Sequence, residues 1–188
     1  MKTKTEGSVR KLWVADLEAF RAHLLRLDPH SRHARFGMGA SDDFVRRYAE
    51  TSFSLDTIIH GQFDGDRIVG AGELRLLGRS RTEAEAAFSV ERDRQARGVG
   101  SLLMERTLLT AQNRGIRCVY MNCLASNRQM QRLARRYGAH LEFEPGDVVG
   151  LVLPHQRTPV SVIKEAVSDS YGWATAIVDL QGRMIRTA

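Results

Sequence analysis

The sequence has few cysteines and no long apolar run, and each shortage excludes a class of protein. Two cysteines among 188 residues cannot build a cysteine-rich zinc module. No apolar stretch approaches the roughly 18–20 residues that span a bilayer as a helix. The opening residues, MKTKTEGSVR, lack the apolar core of a signal peptide. We therefore expect a cytoplasmic protein without contact to a membrane.

Metal-ligand patterns are scarce as well. Cys118 and Cys123 lie five apart on a predicted strand, and an odd spacing places them on opposite faces. The six histidines form neither an HExxH motif nor a Cys/His zinc pattern. His30 and His33 are close in sequence but have no evident partners. We expect no metal site.

Positive charge comes almost entirely from arginine, with 24 arginines against four lysines and a net charge of +6. This excess fits a polyanionic partner, such as nucleic acid or a phosphorylated cofactor, and it also fits the codon usage of a GC-rich genome. The arginines are spread along the chain without a basic tail. A basic sheet face interleaved with aromatic residues is missing too. Both points disfavour nucleic acid as the partner.

The order of predicted elements indicates one α/β domain. Strands are predicted over 8–14, 55–63, 67–77, 81–90 and 118–124, with a closing hairpin of 140–144 and 148–153. Helices are predicted over 16–27, 42–50, 98–113 and 127–137, and a loop over 31–41. Antiparallel strands that lead into a strand–helix–strand crossover predict a mixed, mostly antiparallel twisted sheet with helices on both faces.

Residues 155–188 are set off from this domain by Pro154 and Pro159. Their apolar positions follow a helical spacing, which predicts an amphipathic extension, as one helix or as two pieces broken near Gly172. Such a face packs on the domain or on another subunit. A homodimer through this tail is therefore one expectation.

The stretch RDRQARGVGS, residues 92–101, has the composition of an anion site. It joins a predicted strand to a predicted helix, where free N–H groups and the positive end of the helix dipole point outward. Gly98 and Gly100 let the backbone approach a phosphate closely. No Gly-Lys-Ser/Thr follows, which excludes a P-loop, and the spacing does not fit GxGxxG.

Read as Gln95-x-x-Gly98-x-Gly100, this stretch resembles the acyl-CoA pyrophosphate loop of the GNAT acetyltransferases. The surrounding order agrees, because NRQM and LARRYGA follow after one more strand, as in the family's next helix. The resemblance covers roughly residues 8–154, so we interpret 1–154 as a GNAT acyl-CoA-binding acetyltransferase domain. HLLRLDPHSRHARFG and AEAAFSV further resemble stand-alone bacterial protein-lysine acetyltransferase-like domains.

The resemblance implies acetyl-CoA as cosubstrate and assigns residues to it. Backbone groups of Phe88, Ser89 and Val90 would pair with the pantetheine arm like an added strand. Asn127 would lie near the thiol-side arm, where it is also a candidate N-cap. Backbone amides would hold the pyrophosphate, and they belong to Gln95, Ala96, Arg97, Gly98, Val99, Gly100 and Ser101.

Acyl transfer to an amine also needs a base, because an amine near pKa 10 is protonated at neutral pH. Glu85 is the candidate, since it stands three residues before Phe88, as the catalytic glutamate of histone-type GNAT enzymes stands before its phenylalanine. Glu83 and Glu73 are the reserve candidates for the general base. The alternative is that Glu85 is a solvent-exposed carboxylate on the strand without a catalytic role. A backbone N–H of the fourth strand would stabilise the oxyanion.

The position where many family members carry a general-acid tyrosine is Ala134 here, and Tyr137 follows three residues later. We do not expect Tyr137 to serve as the general acid in its place, and CoA thiolate leaves readily enough that an acid is not required. The arginines of that helix either meet the nucleotide phosphates or form a solvated face. The function predicted is N-acetyl transfer from acetyl-CoA to a primary amine, a protein lysine or a small amine. The alternative is a non-catalytic acyl-CoA sensor with the same fold.

Overall fold

The computed structural model describes residues 8–156 and 158–167. Its strands are β1 (Val9–Lys11), β2 (Thr57–Asp64), β3 (Arg67–Leu77), β4 (Glu83–Val90), β5 (Cys118–Leu124), β6 (His140–Phe143) and β7 (Asp147–Val152). Its helices are α1 (Leu17–Arg26), α2 (Pro29–Phe36), α3 (Asp42–Ser52), α4 (Val99–Asn113) and α5 (Arg128–Arg136). The strands form one sheet in the order β1-β2-β3-β4-β5-β7-β6.

The sheet is mostly antiparallel and is covered on both faces, as predicted. The β4–β5 pair is parallel, and the other strand pairs are antiparallel. On one face α1 and α3 bury Phe20, Leu24 and Val45 against the sheet. On the other face α4 and α5 bury Met104 and Ala134. The α4 crossover between β4 and β5 is what makes that pair parallel.

The predicted loop over 31–41 is wrong for residues 31–36, because Pro29–Phe36 is a helix, and correct for 37–41. The Asp28 carboxylate accepts hydrogen bonds from the backbone N–H groups of His30 and Ser31. Pro29 occupies the first helical position, where its missing N–H has no cost. Gly37 ends the helix at φ 71°. Asp28-Pro29 therefore begins α2 as well as ending the helix before it.

The N-terminal elements also differ from the prediction. The strand predicted over 8–14 is shortened to β1, and a 3₁₀ turn over Val14–Asp16 follows. Asp16 stands at the N-cap position of α1, but its side chain makes no capping hydrogen bond there. Its carboxylate instead accepts from the Arg10 guanidinium at 2.7 and 2.8 Å and from the Trp13 backbone N–H at 2.9 Å. The Asp16 carboxylate therefore binds the buried Arg10 side chain and does not cap the helix.

Local residues determine one helix start and two hairpin turns. Ser41 caps α3 through the Phe44 backbone N–H at 3.2 Å. The β2–β3 hairpin turns at Gly65, where φ is 58°. The β6–β7 hairpin turns at Pro145-Gly146, as predicted.

The described part of the tail docks on α4. Residues 159–167 are helical, and the Glu165 carboxylate accepts hydrogen bonds from Thr110 at 2.7 Å and from Asn113 at 2.6 Å. Residues 157 and 168–188 lie outside the described residues. The extension over 155–188 and a homodimer through it therefore stay predictions. Within the described residues, no helix combines the length and the apolar character needed to cross a bilayer.

Candidate active site

The parallel strands β4 and β5 separate part-way along their length. Their registered pairs end at Glu85 opposite Tyr120. β4 continues to Val90 and stays paired with β3 over its whole length. Within the described residues, β4 beyond Glu85 therefore has no strand on its β5 side. An edge of this kind accepts an extended ligand as an added strand.

A cleft of about 350 Å³ lies along this edge and is called the loop cleft below. The structure brings into it nine of the eleven residues expected to hold acetyl-CoA. These are Phe88, Ser89, Val90, Gln95, Ala96, Gly98, Gly100, Ser101 and Asn127. Of the other two, Val99 is buried with its side chain over Gly70, and Arg97 is exposed. Their expected contribution is through backbone amides, which does not require their side chains to line the cleft.

The loop before α4 has the backbone shape of an anion site. Ala96 and Gly98 both have positive φ, 57° and 90°, and such alternations turn successive N–H groups toward one point. Gly98 stands at the N-cap of α4 and offers no side chain to cap the helix. The N–H groups of the first turn can therefore donate to a ligand. Gln95 fixes the loop, because its Nε2 donates to the Val90 carbonyl and to the Ser31 hydroxyl, both at 3.0 Å.

A buried polar network anchors β4 beside this cleft. The Glu91 carboxylate accepts from His23 Nδ1 at 3.1 Å, and His23 Nε2 then accepts from the Ser89 hydroxyl at 2.9 Å. Burial lowers the pKa of His23, which keeps the ring neutral. Burial alone would raise the pKa of Glu91, but hydrogen bonds from His23, Arg67 and Arg26 outweigh it and lower the pKa to about 2. Sequence reasoning missed this network, whose members are 66 and 68 residues apart.

A second cleft, of about 330 Å³, lies beside the first and is called the carboxylate cleft. It is lined by Glu73, Glu85 and Asp147 among others. Ala34 and Arg35 line both clefts, so the two meet at α2. The C-terminal half of α2 and the start of β7 each contribute to its wall.

Glu85 lies in the carboxylate cleft, half-buried on β4. It accepts a hydrogen bond from Asn122 Nδ2 at 3.2 Å across the point where the strands separate. Its neighbours Ala84 and Ala86 point to the opposite face and are buried with α4. The reserve candidate Glu83 is exposed at the start of the strand. No sequence pattern indicated that Asn122 would bind Glu85.

The other reserve candidate for the general base, Glu73, forms an ion pair with Arg35. Arg35 Nη2 donates to Glu73 Oε1 and, at 2.6 Å, to the Tyr48 hydroxyl, which in turn donates to Glu73 Oε2 at 2.8 Å. Both carboxylate oxygens are thus committed, which disfavours Glu73 as a base. Burial raises the pKa of Tyr48. Asp28-Pro29 is a local signal for the helix that carries Arg35, but no local signal indicates the pairing of Arg35 with Glu73.

On α5 the structure gives the predicted residues separate tasks. Asn127 lines the loop cleft and also caps α5 through the Met130 backbone N–H at 3.1 Å. The Tyr137 hydroxyl donates to the Ser101 carbonyl at 2.9 Å, so it stabilises α4 against α5. Burial raises the pKa of Tyr137. Of the four arginines, Arg132 lines the loop cleft, whereas Arg135 lies over the Phe143 ring.

The model of the acetyltransferase (GNAT) family matches residues 20–139 of the chain. The chain belongs to the GNAT acetyltransferase family. It is therefore an acyltransferase, and the resemblance inferred from Gln95-x-x-Gly98-x-Gly100 is confirmed. No curated protein matches the chain.

Solved GNAT structures share this fold. The GNAT domain of S. lividans PAT is 26% identical with a TM-score of 0.68, covering 78% of this chain and 90% of that chain. The ribosomal-protein-S18-alanine N-acetyltransferase from Escherichia coli is 15% identical with a TM-score of 0.63, covering 81% and 96%. The Salmonella typhimurium protein yncA, solved with acetyl-CoA, is 14% identical with a TM-score of 0.61, covering 82% and 97%. The last two support the fold alone.

Within the described residues, no group of three or more His, Cys, Asp or Glu side chains could hold a metal ion. Cys118 and Cys123 are both free thiols. Cys123 is buried and Cys118 is partly exposed, in agreement with their opposite faces on β5.

Proposed function

We propose that this GNAT protein transfers an acetyl group from acetyl-CoA to a primary amine, with Glu85 as general base. The observation that carries the proposal is the meeting of two clefts at the point where β4 leaves β5. One cleft has the backbone of a diphosphate site, and the other holds Glu85. A thioester arm lying on the β4 edge would end between them.

The residues present fit a CoA thioester. The diphosphate would lie on the amides from Gln95 to Ser101, at the N-terminus of α4, which is fifteen residues long. The positive φ of Gly98 suits a residue without Cβ, and this lets the backbone approach the phosphates. The pantetheine amides would pair with β4 at Phe88, Ser89 and Val90. Asn127 would border the same arm from α5.

Glu85 would act on the acceptor from the other cleft. A bound ammonium group must lose a proton before its nitrogen can attack the thioester carbonyl. A half-buried carboxylate held by Asn122 can accept that proton, directly or through water. The nitrogen–carbon bond then forms, the carbon–sulfur bond breaks, and CoA leaves as the thiol after taking up a proton. Tyr137 is committed to Ser101, so the proton on sulfur comes from elsewhere, such as water.

The acceptor is a protein lysine or a small amine. Phe36, Phe44 and Tyr48 form an aromatic wall of the carboxylate cleft, which suits the aliphatic stem of an amine. Asp147 and Arg75, both exposed, lie at its rim.

The test is acetyl transfer from labelled acetyl-CoA into a host-cell lysate that is separated into protein and small-molecule fractions. Label in protein supports a protein acetyltransferase, and label in the small-molecule fraction supports a metabolite acceptor. Tight acetyl-CoA binding without label in either fraction contradicts the proposal and favours the non-catalytic sensor. Absence of acetyl-CoA binding contradicts both functions.

A further inference from the structure

Arg35 occupies the junction of the two clefts. It lies on α2 and lines both of them. Its partner Glu73 is registered opposite Ala87 on the neighbouring strand, and directly opposite residues of an antiparallel pair share a face. The guanidinium bonded to Glu73 therefore lies on the sheet face that also carries Glu85. In the proposed reaction the acetyl carbonyl would lie between the two clefts that Arg35 lines.

The Arg35 side chain is buried and rigidly held, with 8% of its surface exposed. The ion pair with Glu73 and the hydrogen bond to Tyr48 both use Nη2. The guanidinium carbon also lies 4.9 Å from the centroid of the Phe36 ring and 5.2 Å from that of Tyr48. Such restraints keep a cation in one orientation, as preorganised catalysis requires.

These contacts leave part of the donor capacity of Arg35 unused. A guanidinium carries five N–H donors. Within the described residues, Nε is buried without a hydrogen-bond partner. A buried donor without a partner is costly, and Arg32 on the same helix has a buried Nε of the same kind. Arg35 differs from Arg32 because it lines both clefts, where its remaining donors would meet a ligand.

We propose that Arg35 is a catalytic residue of the acetyl transfer, whose guanidinium binds the oxygen of the acetyl carbonyl. This inference rests on the proposed function. When the amine nitrogen attacks, the carbonyl π electrons move to oxygen, and the fixed positive charge stabilises the resulting oxyanion. The electrons return when the carbon–sulfur bond breaks and thiolate leaves. Arg35 keeps its proton throughout, and Glu73 and Tyr48 act as positioning residues that hold it.

The proposal adds a side-chain cation to the backbone N–H of β4 expected for this role from the sequence. Removing one oxyanion donor typically lowers kcat by about 10²–10³-fold. Arg35→Gln alone would leave the Glu73 carboxylate buried without its cation, which is strongly destabilising. The informative variant is therefore Arg35→Gln combined with Glu73→Gln, which removes both charges and keeps hydrogen-bonding groups. Arg32→Gln on the same helix is the control, because Arg32 binds the Leu25 and Ala40 carbonyls and the Asp42 carboxylate.

The experiment has two readouts on each protein. Infrared difference spectra of acetyl-CoA labelled with ¹³C at the carbonyl, bound without an amine, report the hydrogen bonding of that oxygen. Steady-state kinetics with the acceptor found in the lysate experiment give kcat, and calorimetry gives the Kd of CoA, which lacks the carbonyl. Thermal unfolding establishes that each variant is folded.

We expect the carbonyl band to shift to lower wavenumber in the wild type and in Arg32→Gln. In the double variant the shift is smaller and kcat falls by about 10²-fold, while the Kd of CoA changes by less than about threefold. A band shift as large as in the wild type, an unchanged kcat, or a loss of CoA affinity as large as the loss of kcat would overturn the assignment. A wild type that transfers no acetyl group refutes the proposed function instead, and the band shift still reports on Arg35.

Discussion

Gly98 is the residue whose backbone the loop cleft depends on most directly. Its φ of 90° lies in the left-handed region, where a side chain costs about 1–2 kcal/mol. In the proposed function the backbone at this position approaches a phosphate, and a Cβ would hinder that approach. Gly78, in the turn between β3 and β4, has a φ of 63° with open space around it. Both glycines have a left-handed backbone conformation, but only Gly98 lines the loop cleft.

We expect Gly98→Ala to raise the Kd of CoA by about tenfold or more, a loss of about 1.4 kcal/mol. Gly78→Ala should lower the free energy of unfolding by a similar 1–2 kcal/mol, on the order of the left-handed cost, and leave the Kd unchanged. Isothermal calorimetry and urea unfolding of both variants check this. Equal effects of both substitutions on CoA binding would contradict a phosphate role for this loop.

Sequence reasoning placed Gln95, Gly98 and Glu85 in the site because their signals are local. A strand–loop–helix with glycines at fixed offsets determines its own geometry, and strand alternation determines which face Glu85 occupies. Arg35 could not be found in this way. Its role depends on Glu73, 38 residues away, and on two clefts that exist only after the sheet and α2 have packed.

At the scale of elements, the strands and long helices were predictable, whereas α2 and the first strand were not. Asp28-Pro29 is compatible both with the end of one helix and with the start of the next, and a short helix has little periodicity to decide between them. Asp16 was available as a cap, but the buried Arg10 bound it instead. Tertiary pairing overrides a local preference of about 1 kcal/mol.

The tail helix offers a test at the same scale. Glu165 accepts hydrogen bonds from Thr110 and Asn113 on α4. Burial would raise the pKa of Glu165, but these hydrogen bonds and the nearby Arg114 lower it, so the carboxylate is charged when docked. Glu165→Ala should therefore detach residues 159–167 from α4.

We expect amide hydrogen exchange within 159–167 to accelerate by about tenfold or more in Glu165→Ala, the equivalent of about 1.4 kcal/mol of lost docking. The Kd of CoA should not change, because Glu165 lies outside both clefts. Glu105→Ala, which removes an exposed ion pair with Lys164, is the control and should have little effect. Unchanged exchange in Glu165→Ala would show that this carboxylate does not anchor the tail.

For the whole molecule, two buried histidines link folding to pH. Burial lowers the pKa of His60 to about 3, with further contributions from Arg106, Arg114 and Lys11. Burial also lowers the pKa of His23. The unfolded chain binds a proton at each histidine near pH 6.5. Stability is therefore fully present above pH 6.5 and is lost as the pH falls toward the folded-state values.

Urea unfolding should show a free energy of unfolding that declines between pH 6.5 and pH 5, by up to about 1.4 kcal/mol per pH unit for each histidine. His60→Gln should reduce this slope, and the slope that remains should come from His23. His140→Gln, an exposed control, should leave it unchanged. A slope that is the same in His60→Gln and in the wild type would contradict a neutral, buried His60.

The central claim is that Glu85 is the base of acetyl transfer, and the rate of transfer by Glu85→Gln tests it most directly. Glu83→Gln, two residues earlier on the same face of β4 and exposed, is the matched control. We predict that Glu85→Gln lowers kcat by about 10²–10⁴-fold with KM for acetyl-CoA changed by less than about twofold, whereas Glu83→Gln matches the wild type. Equal rates for Glu85→Gln and the wild type across pH 6 to 9 would contradict the claim.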